Sequence, residues 1–364
     1  MQQPLLYEDL VKQHEQILRS LQYESGLFAA SSKTVATGYD KSWLRDNFYE
    51  CLAFEVLDDW SVVEKTYDAL LKVFEHHKDK IVWATQNKPT ERYQYIHARV
   101  HPETFEEFWE EWGNKQNDAV GAILFRIGEL EKNRPGCIFK NDAHKELTQL
   151  LVDYLSSIEY WHDLDSGMWE EDEEIHASSV GACVAGLKAV RDLEGIYVDN
   201  ELISKGEKML NELLPRESKN KFVDLALLSL IWPYGVVNKD QADDILENTE
   251  YLLERERGVI RYKNDYYYNK NPDGYSEEAE WTFGLAWLAI IYERRGEQER
   301  AQHYVDKLLS TVTQQGVPEL YYSHTNFSNE NNPLGWSESL FIVALHGLNN
   351  KILVGETLHE APNN

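Results

Sequence analysis

Cysteine is scarce: Cys51, Cys137 and Cys183 lie far apart, are odd in number, and form no CxxC pair. A disulfide framework and a thiolate metal site are thereby excluded. The pattern fits reduced, buried thiols and a cytoplasmic setting. Positive charge is also short, with 36 Lys and Arg against 63 Asp and Glu and a net charge of −27. Such a surface repels nucleic-acid phosphate and anionic membranes, so a neutral small molecule or a basic partner fits better. No apolar run reaches the length of a membrane span; "LALLSLIWPYGVV" is too short. The start "MQQPLLYEDLVKQHEQ" has no basic stretch before an apolar core, so no secretory leader is expected. GxGxxG, GxSxG, HExxH and a phosphate-cradling loop are missing. So is any Pro/Gly/Ser-rich linker, and one domain over residues 1–364 is expected.

Strand-like alternation is confined to "KIVWAT" and "GVIRY"; the dominant period is helical. "LYEDLVKQHEQILRSL" is expected to bury Leu6, Leu10, Ile17 and Leu21, and "WSVVEKTYDALLKVFEHH" to bury Val63, Tyr67, Leu70, Leu71 and Phe74. Further helical patterns cover about 42–58, 117–132, 142–158, 175–193, 200–214, 222–231, 240–255, 276–295, 297–314 and 335–348. Two kinds alternate. "EIHASSVGACVAGLKAVRDL" and "EWTFGLAWLAIIYERR" are apolar or small nearly all round, as buried helices are, whereas "RAQHYVDKLLSTV" is amphipathic. Inner helices walled by outer ones give an all-α (α/α)6 barrel. A solenoid is disfavoured because no constant repeat exists. The longest stretch without helical signal, 78–116, is expected to be a functional loop.

Aromatics are plentiful, with 11 Trp and 21 Tyr, which suit either a core or a pocket lined by flat faces. In "DLDSGMWEEDEEIHASSV" the acids Asp163, Asp165, Glu170, Glu171, Asp172, Glu173 and Glu174 surround Trp169. A solvated acidic loop would explain the charge but not the tryptophan. A carboxyl buried beside an aromatic ring and other acids keeps its proton to higher pH, as a glycosidase acid must. A calcium loop fits poorly, because Gly167 falls at the fifth place where a donor is needed. Elsewhere Tyr39, Trp43, Arg45 and Asp46 open one helix, and Trp112, Gln116 and Asp118 open another. They suit either ordinary helix starts or hydroxyl-binding groups. "GVIRYKNDYYYNK", with Arg261, Asp265 and Tyr267, reads as a surface hairpin or a sugar-facing loop. Glu319 follows Pro318 ahead of the last inner-type helix. These clusters share one position, the edge of an inner helix, and a barrel would converge them at one end.

At "YDKSWLRDN", "WGNKQNDA", "GMWEE", "GVIRYKNDYYY", "EEAEW" and "VPELY", in that order, the chain resembles glycoside hydrolase family 15, the glucoamylases. "IHASSVGACVAGLKAV", "ELLPRESKNKFVDLALLS" and "PLGWSESLFIVAL" are similar to the related regulatory α and β subunits of phosphorylase kinase. The resemblance spans roughly residues 20–348. It implies an (α/α)6 barrel and inverting hydrolysis of α-glucosidic bonds from the non-reducing end, with no metal or organic cofactor. Residue by residue, it implies that Glu170 is the general acid and Glu319 the general base. Tyr39, Arg45 and Asp46 would surround the terminal glucose, and Glu171 would contact the reducing-side sugar. Trp112 would lie near the acid, Arg261 on substrate, and Trp169 and Trp281 in the pocket. Soluble oligosaccharides are the expected substrates. A regulatory, non-catalytic sugar module is the other function the resemblance carries.

Overall fold

The structure, a computed structural model, describes residues 7–110, 112–270 and 277–359, with side chains of the last helix described through residue 348. Thirteen α-helices account for most of them: α1 (Tyr7–Leu21), α2 (Leu44–Val56), α3 (Trp60–His76), α4 (Lys78–Gln86), α5 (Asn117–Asn133), α6 (Asp142–Ile158), α7 (Ala177–Val190), α8 (Asn200–Leu213), α9 (Leu228–Ile231), α10 (Lys239–Leu252), α11 (Thr282–Arg294), α12 (Gln298–Leu309) and α13 (Gly335–His359). Two 3-10 turns are also present, Arg92–Gln94 and Leu225–Leu227, the latter leading into α9. Two antiparallel ladders of two residues per strand complete the set: β1 (Ser42–Trp43) with β2 (Arg99–Val100), and β3 (Glu280–Trp281) with β4 (Leu320–Tyr321).

Contacts between helices close a ring. α2 packs on α5, α5 on α7, α7 on α9, α9 on α11, α11 on α13, and α13 back on α2. Each ring member has one outer partner: α3, α6, α8, α10, α12 and, for α13, α1. This is the (α/α)6 barrel, and burial follows the layers. Nearly every residue of α2, α7 and α11 is buried, whereas α8 buries only Leu202, Ile203, Gly206 and Leu210. All three cysteines are free and buried. No described helix is long and apolar enough to cross a membrane.

Several expectations need correction. Residues 78–86 are helical, not loop or strand. "KIVWAT" alternates too briefly to separate the two periods, and Ile81 and Ala84, three apart, are the residues it buries, against α6. In α1 the buried stripe is Val11, His14, Leu18 and Leu21, while Leu10 and Ile17 are half-buried at its margin; Leu6 lies outside the described residues. The stripe turns because a polar residue belongs to it: His14 Nδ1 meets Glu338 Oε2 of α13 at 2.6 Å, both fully buried. α3 buries Val63, Tyr67, Leu70, Leu71 and Phe74 as expected.

The small residues of α7 have a geometric purpose. A Cβ on Gly121 of α5 would lie 2.5 Å from the carbonyl carbon of Ala182, and one on Gly186 would lie 2.5 Å from the Gly121 oxygen. Backbone therefore meets backbone along this seam. In an open helix, Gly→Ala adds about 1 kcal/mol of stability. Here overpacking, which costs about 1–3 kcal/mol, falls on main chain that cannot swing aside. Gly121→Ala is therefore expected to lower the thermal and urea midpoints; raised midpoints would show that the seam has slack.

Candidate active site

Each inner helix is entered from the same end of the barrel, and the segments leading into them meet around one cavity of about 300 Å³. Trp43 precedes α2, with Arg45 and Asp46 in its first turn. Trp112 comes from the approach to α5, residues 168–171 from the approach to α7, and Trp281 precedes α11. Glu319 lies beside β4, and Trp336 is the second residue of α13.

The acid run is anchored at both ends. Asp163 pairs with Lys115 at 2.8 Å and accepts from Asn117 Nδ2 at 2.9 Å. Asp165 accepts from the Asn117 N–H and from His176 Nδ1, each at 2.9 Å. These two carboxylates tie the loop to α5 and α7. Beyond these two carboxylates the chain turns through Gly167 (φ +62°) and Glu170 (φ +65°). A glutamate in the left-handed region carries strain. Trp169 points inward, donating to Asp224 Oδ1 at 2.7 Å, with its ring near those of Trp281, Phe283 and Trp336. It belongs to an aromatic floor in which Phe283 and Trp336 stack 4.7 Å apart.

The two glutamates differ in their partners. Glu170 Oε1 accepts from Trp43 Nε1 at 2.6 Å and from Arg45 at 3.4 Å. Its Oε2 has no hydrogen-bond partner among the described residues. Burial pushes the Glu170 carboxyl up to about 7, with Arg45 opposing and Asp46 adding. Glu319 is buried too, and burial raises it above the carboxylate range. Three donors resist that rise: Asn331 at 2.7 Å and Asn329 on Oε2, and the Tyr39 hydroxyl at 3.0 Å on Oε1. Tyr39 and Trp43, with ring centroids 5.3 Å apart, form the wall between the two acids.

Two guanidinium groups organise the rest. Arg45 donates to Gln116 at 2.7 Å and stands 3.5 Å from Asp118 and 3.8 Å from Asp46. Burial lifts Asp46 to about 6, Arg45 opposing. Arg45 Nε, Asp46 Oδ2, and the indole nitrogens of Trp281 and Trp336 are buried without partners among the described residues. Hydroxyl-bearing ligands satisfy such groups. Arg261 grips Asp265 through two bonds of 2.7 Å and Glu171 at 2.8 Å, beneath the faces of Trp169, Trp281 and Tyr267. Burial would raise Glu171, but Arg261, Lys221 at 2.8 Å and the Tyr262 hydroxyl at 2.6 Å hold it below the usual range.

The cavity gathers Tyr39, Arg45, Asp46, Trp112, Trp169, Glu170, Glu171, Arg261, Trp281 and Glu319, all ten residues expected from the sequence. Sequence reasoning missed Arg99, Phe283 and Trp336 on the cavity, and Asp224 beneath it. Trp336 and Phe283 carry the same signal as Trp43, an aromatic at the mouth of an inner helix. Arg99 carries none, being hidden in the long connection.

A family model, Glycosyl hydrolases family 15, matches residues 7–344. The chain is 26% identical over 368 residues to a probable phosphorylase b kinase regulatory subunit alpha of Drosophila melanogaster, covering 85% of this chain and 28% of that protein. It is 27% identical to the skeletal muscle alpha subunit of Rattus norvegicus, covering 86% of this chain and 29% of that one. The chain thus spans less than a third of the length of these relatives. A solved wild-type glycosidase superposes with a TM-score of 0.79 at 18% identity, covering 94% of this chain and 97% of that one. A bacterial glucoamylase complexed with acarbose gives 0.73 at 14% identity, covering 94% and 55%. These likenesses establish the shared barrel fold.

The Trp43 N–H favours the ionised form of Glu170. Trp43→Phe is therefore expected to raise the Glu170 carboxyl pKa above about 7, read by carboxyl carbon NMR titration; a fall would contradict the hydrogen-bond geometry.

Proposed function

Since the chain belongs to glycosyl hydrolases family 15, we propose that its cavity cleaves α-glucosidic bonds from the non-reducing end of soluble gluco-oligosaccharides, with inversion at the anomeric carbon. The observation that carries this reading is the unlike environment of two buried glutamates on one cavity. Glu170 keeps a proton up to about pH 7, and its Oε2, with no hydrogen-bond partner among the described residues, is free to deliver it. It protonates the glycosidic oxygen as the bond to the anomeric carbon breaks. Both oxygens of Glu319 only accept hydrogen bonds, from Tyr39, Asn329 and Asn331. It takes the proton of a water whose oxygen bonds to the opposite face of that carbon. Inverting enzymes hold such a pair about 6.5–9.5 Å apart. The intervening Tyr39–Trp43 wall supports separated carboxyls. Arg45 and Asp46, in the first turn of α2, bind hydroxyls of the terminal glucose. Glu171 and Arg261 contact the sugar beyond the scissile bond, and Trp112, Trp169 and Trp281 supply flat apolar faces. The floor of Trp336 and Phe283 favours a chain end over a chain middle. A cytoplasmic site of action fits the free, buried cysteines.

A second reading, a sugar-binding module that regulates rather than cleaves, is favoured by the names of the curated relatives, which are regulatory subunits. Glucose release from maltose, isomaltose, trehalose and maltotetraose separates the two: calorimetric binding without release supports the regulatory module.

For the hydrolase, Glu170→Gln is expected to cut turnover by about 10²–10⁴-fold while calorimetric sugar binding survives; retained turnover rules out Glu170 as the acid. Glu319→Ala should lose a similar factor, partly restored by azide as the β-glucosyl azide; full activity without azide contradicts the base. In the wild type, kcat/KM should fall above pH about 7 as Glu170 loses its proton, and fall in acid as Glu319 gains one. An alkaline limb that persists unshifted when Trp43 is replaced would assign that limb to another group.

A further inference from the structure

We propose that Arg99 is the residue that reads the leaving-group sugar, an inference that rests on the hydrolase reading and extends it to specificity. Arg99 lies in β2, paired across the ladder with Trp43, and is 8% exposed. Its guanidinium sits 4.3 Å from the Trp112 ring centroid and 5.2 Å from that of Trp43, the ring whose N–H holds Glu170. Arg99 therefore lines the cavity on the side of the proton donor, where the departing oxygen must lie. Arg45 also approaches Glu170, at 3.4 Å, but from the first turn of α2.

A guanidinium offers five N–H donors in a planar fork. Arg45, apart from its Nε, and Arg261 direct theirs to several partners within the protein. Among the described residues, Arg99 side-chain donors meet one partner, Glu110, and Nε is buried without any. Glu110 is itself more than half exposed and shared with Lys41. The Phe108 ring, 5.1 Å from the guanidinium, covers it on the rim side. A flat, aromatic-clamped cation with spare donors beside the acid matches the hydroxyl pair of a glucose on the leaving side.

The test compares two substrates. One is whichever of maltose, isomaltose and trehalose the wild type cleaves best; the other is α-glucosyl fluoride, whose leaving group has no hydroxyls. Arg99→Ala is expected to lower kcat/KM for the disaccharide by about 10–100-fold and for the fluoride by less than about threefold. Arg99→Lys, which keeps the charge but not the fork, should show the same selective loss and serves if the alanine variant does not fold. Equal losses on both substrates, or no loss on either, overturn the assignment. A wild type that cleaves neither refutes the hydrolase reading instead. Calorimetry then decides Arg99 alone: maltose binding weakened more than glucose binding sustains its role, and parallel weakening removes it.

Discussion

Alternation of outer and inner helices along the chain forces the six ring members to run parallel, so their N-termini share one end. Every feature of the cavity follows from that constraint. Helix N-termini present unpaired N–H groups and a partial positive charge. Acidic side chains gather there: Asp46 and Asp118 in the first turns of α2 and α5, Asp224 capping the turn into α9, and Glu338 in the first turn of α13. The connections that enter inner helices are also free of ring packing. They can carry Trp, Tyr and Arg without disturbing seams as close as that between α5 and α7.

Crowding acids around few cations has a chemical result. Arg45 faces Asp46, Asp118 and Glu170, one positive charge among three carboxyls, at 3.8, 3.5 and 3.4 Å. One guanidinium cannot compensate three buried anions. Burial, with mutual repulsion adding, raises all three, Glu170 to about 7, Asp46 to about 6 and Asp118 in the same direction. Protons on such neighbours belong to the cluster more than to one residue. Asp46 and Asp118 also each keep a buried oxygen without a partner among the described residues, but Glu170 is the member lifted to about 7. Arg261 sits differently, in a bidentate pair with Asp265, and its charge fixes Glu171 as an anion.

The layers of the barrel were legible because inner and outer helices differ in composition over many turns, the scale on which periodicity is informative. The clustering of ten site residues was legible because their motifs share a helix-mouth position. Short or irregular elements were not. α4 hides in a six-residue run that fits two periods, and the helical pattern over 222–231 resolves into a 3-10 turn followed by four α-helical residues. The face of α1 shifted because His14 has a buried partner 324 residues away, which no local pattern records. Arg99 escaped for the same reason: its neighbours Trp43 and Trp112 become neighbours only when β1 and β2 pair.

Two adjacent residues supply the sharpest argument between catalysis and mere binding. Glu171 has what a sugar-binding carboxylate needs, two cations and a hydroxyl that keep it ionised and accepting. Glu170, one peptide bond earlier, is buried so that its proton is retained, on a backbone in the left-handed region. A site that only held sugar would gain nothing from straining the chain to present a neutral acid. Environments that drive neighbouring carboxyls in opposite directions are how a protein divides acid work from anionic contact. The contrast between these two glutamates supports hydrolysis over a regulatory module built on the same barrel.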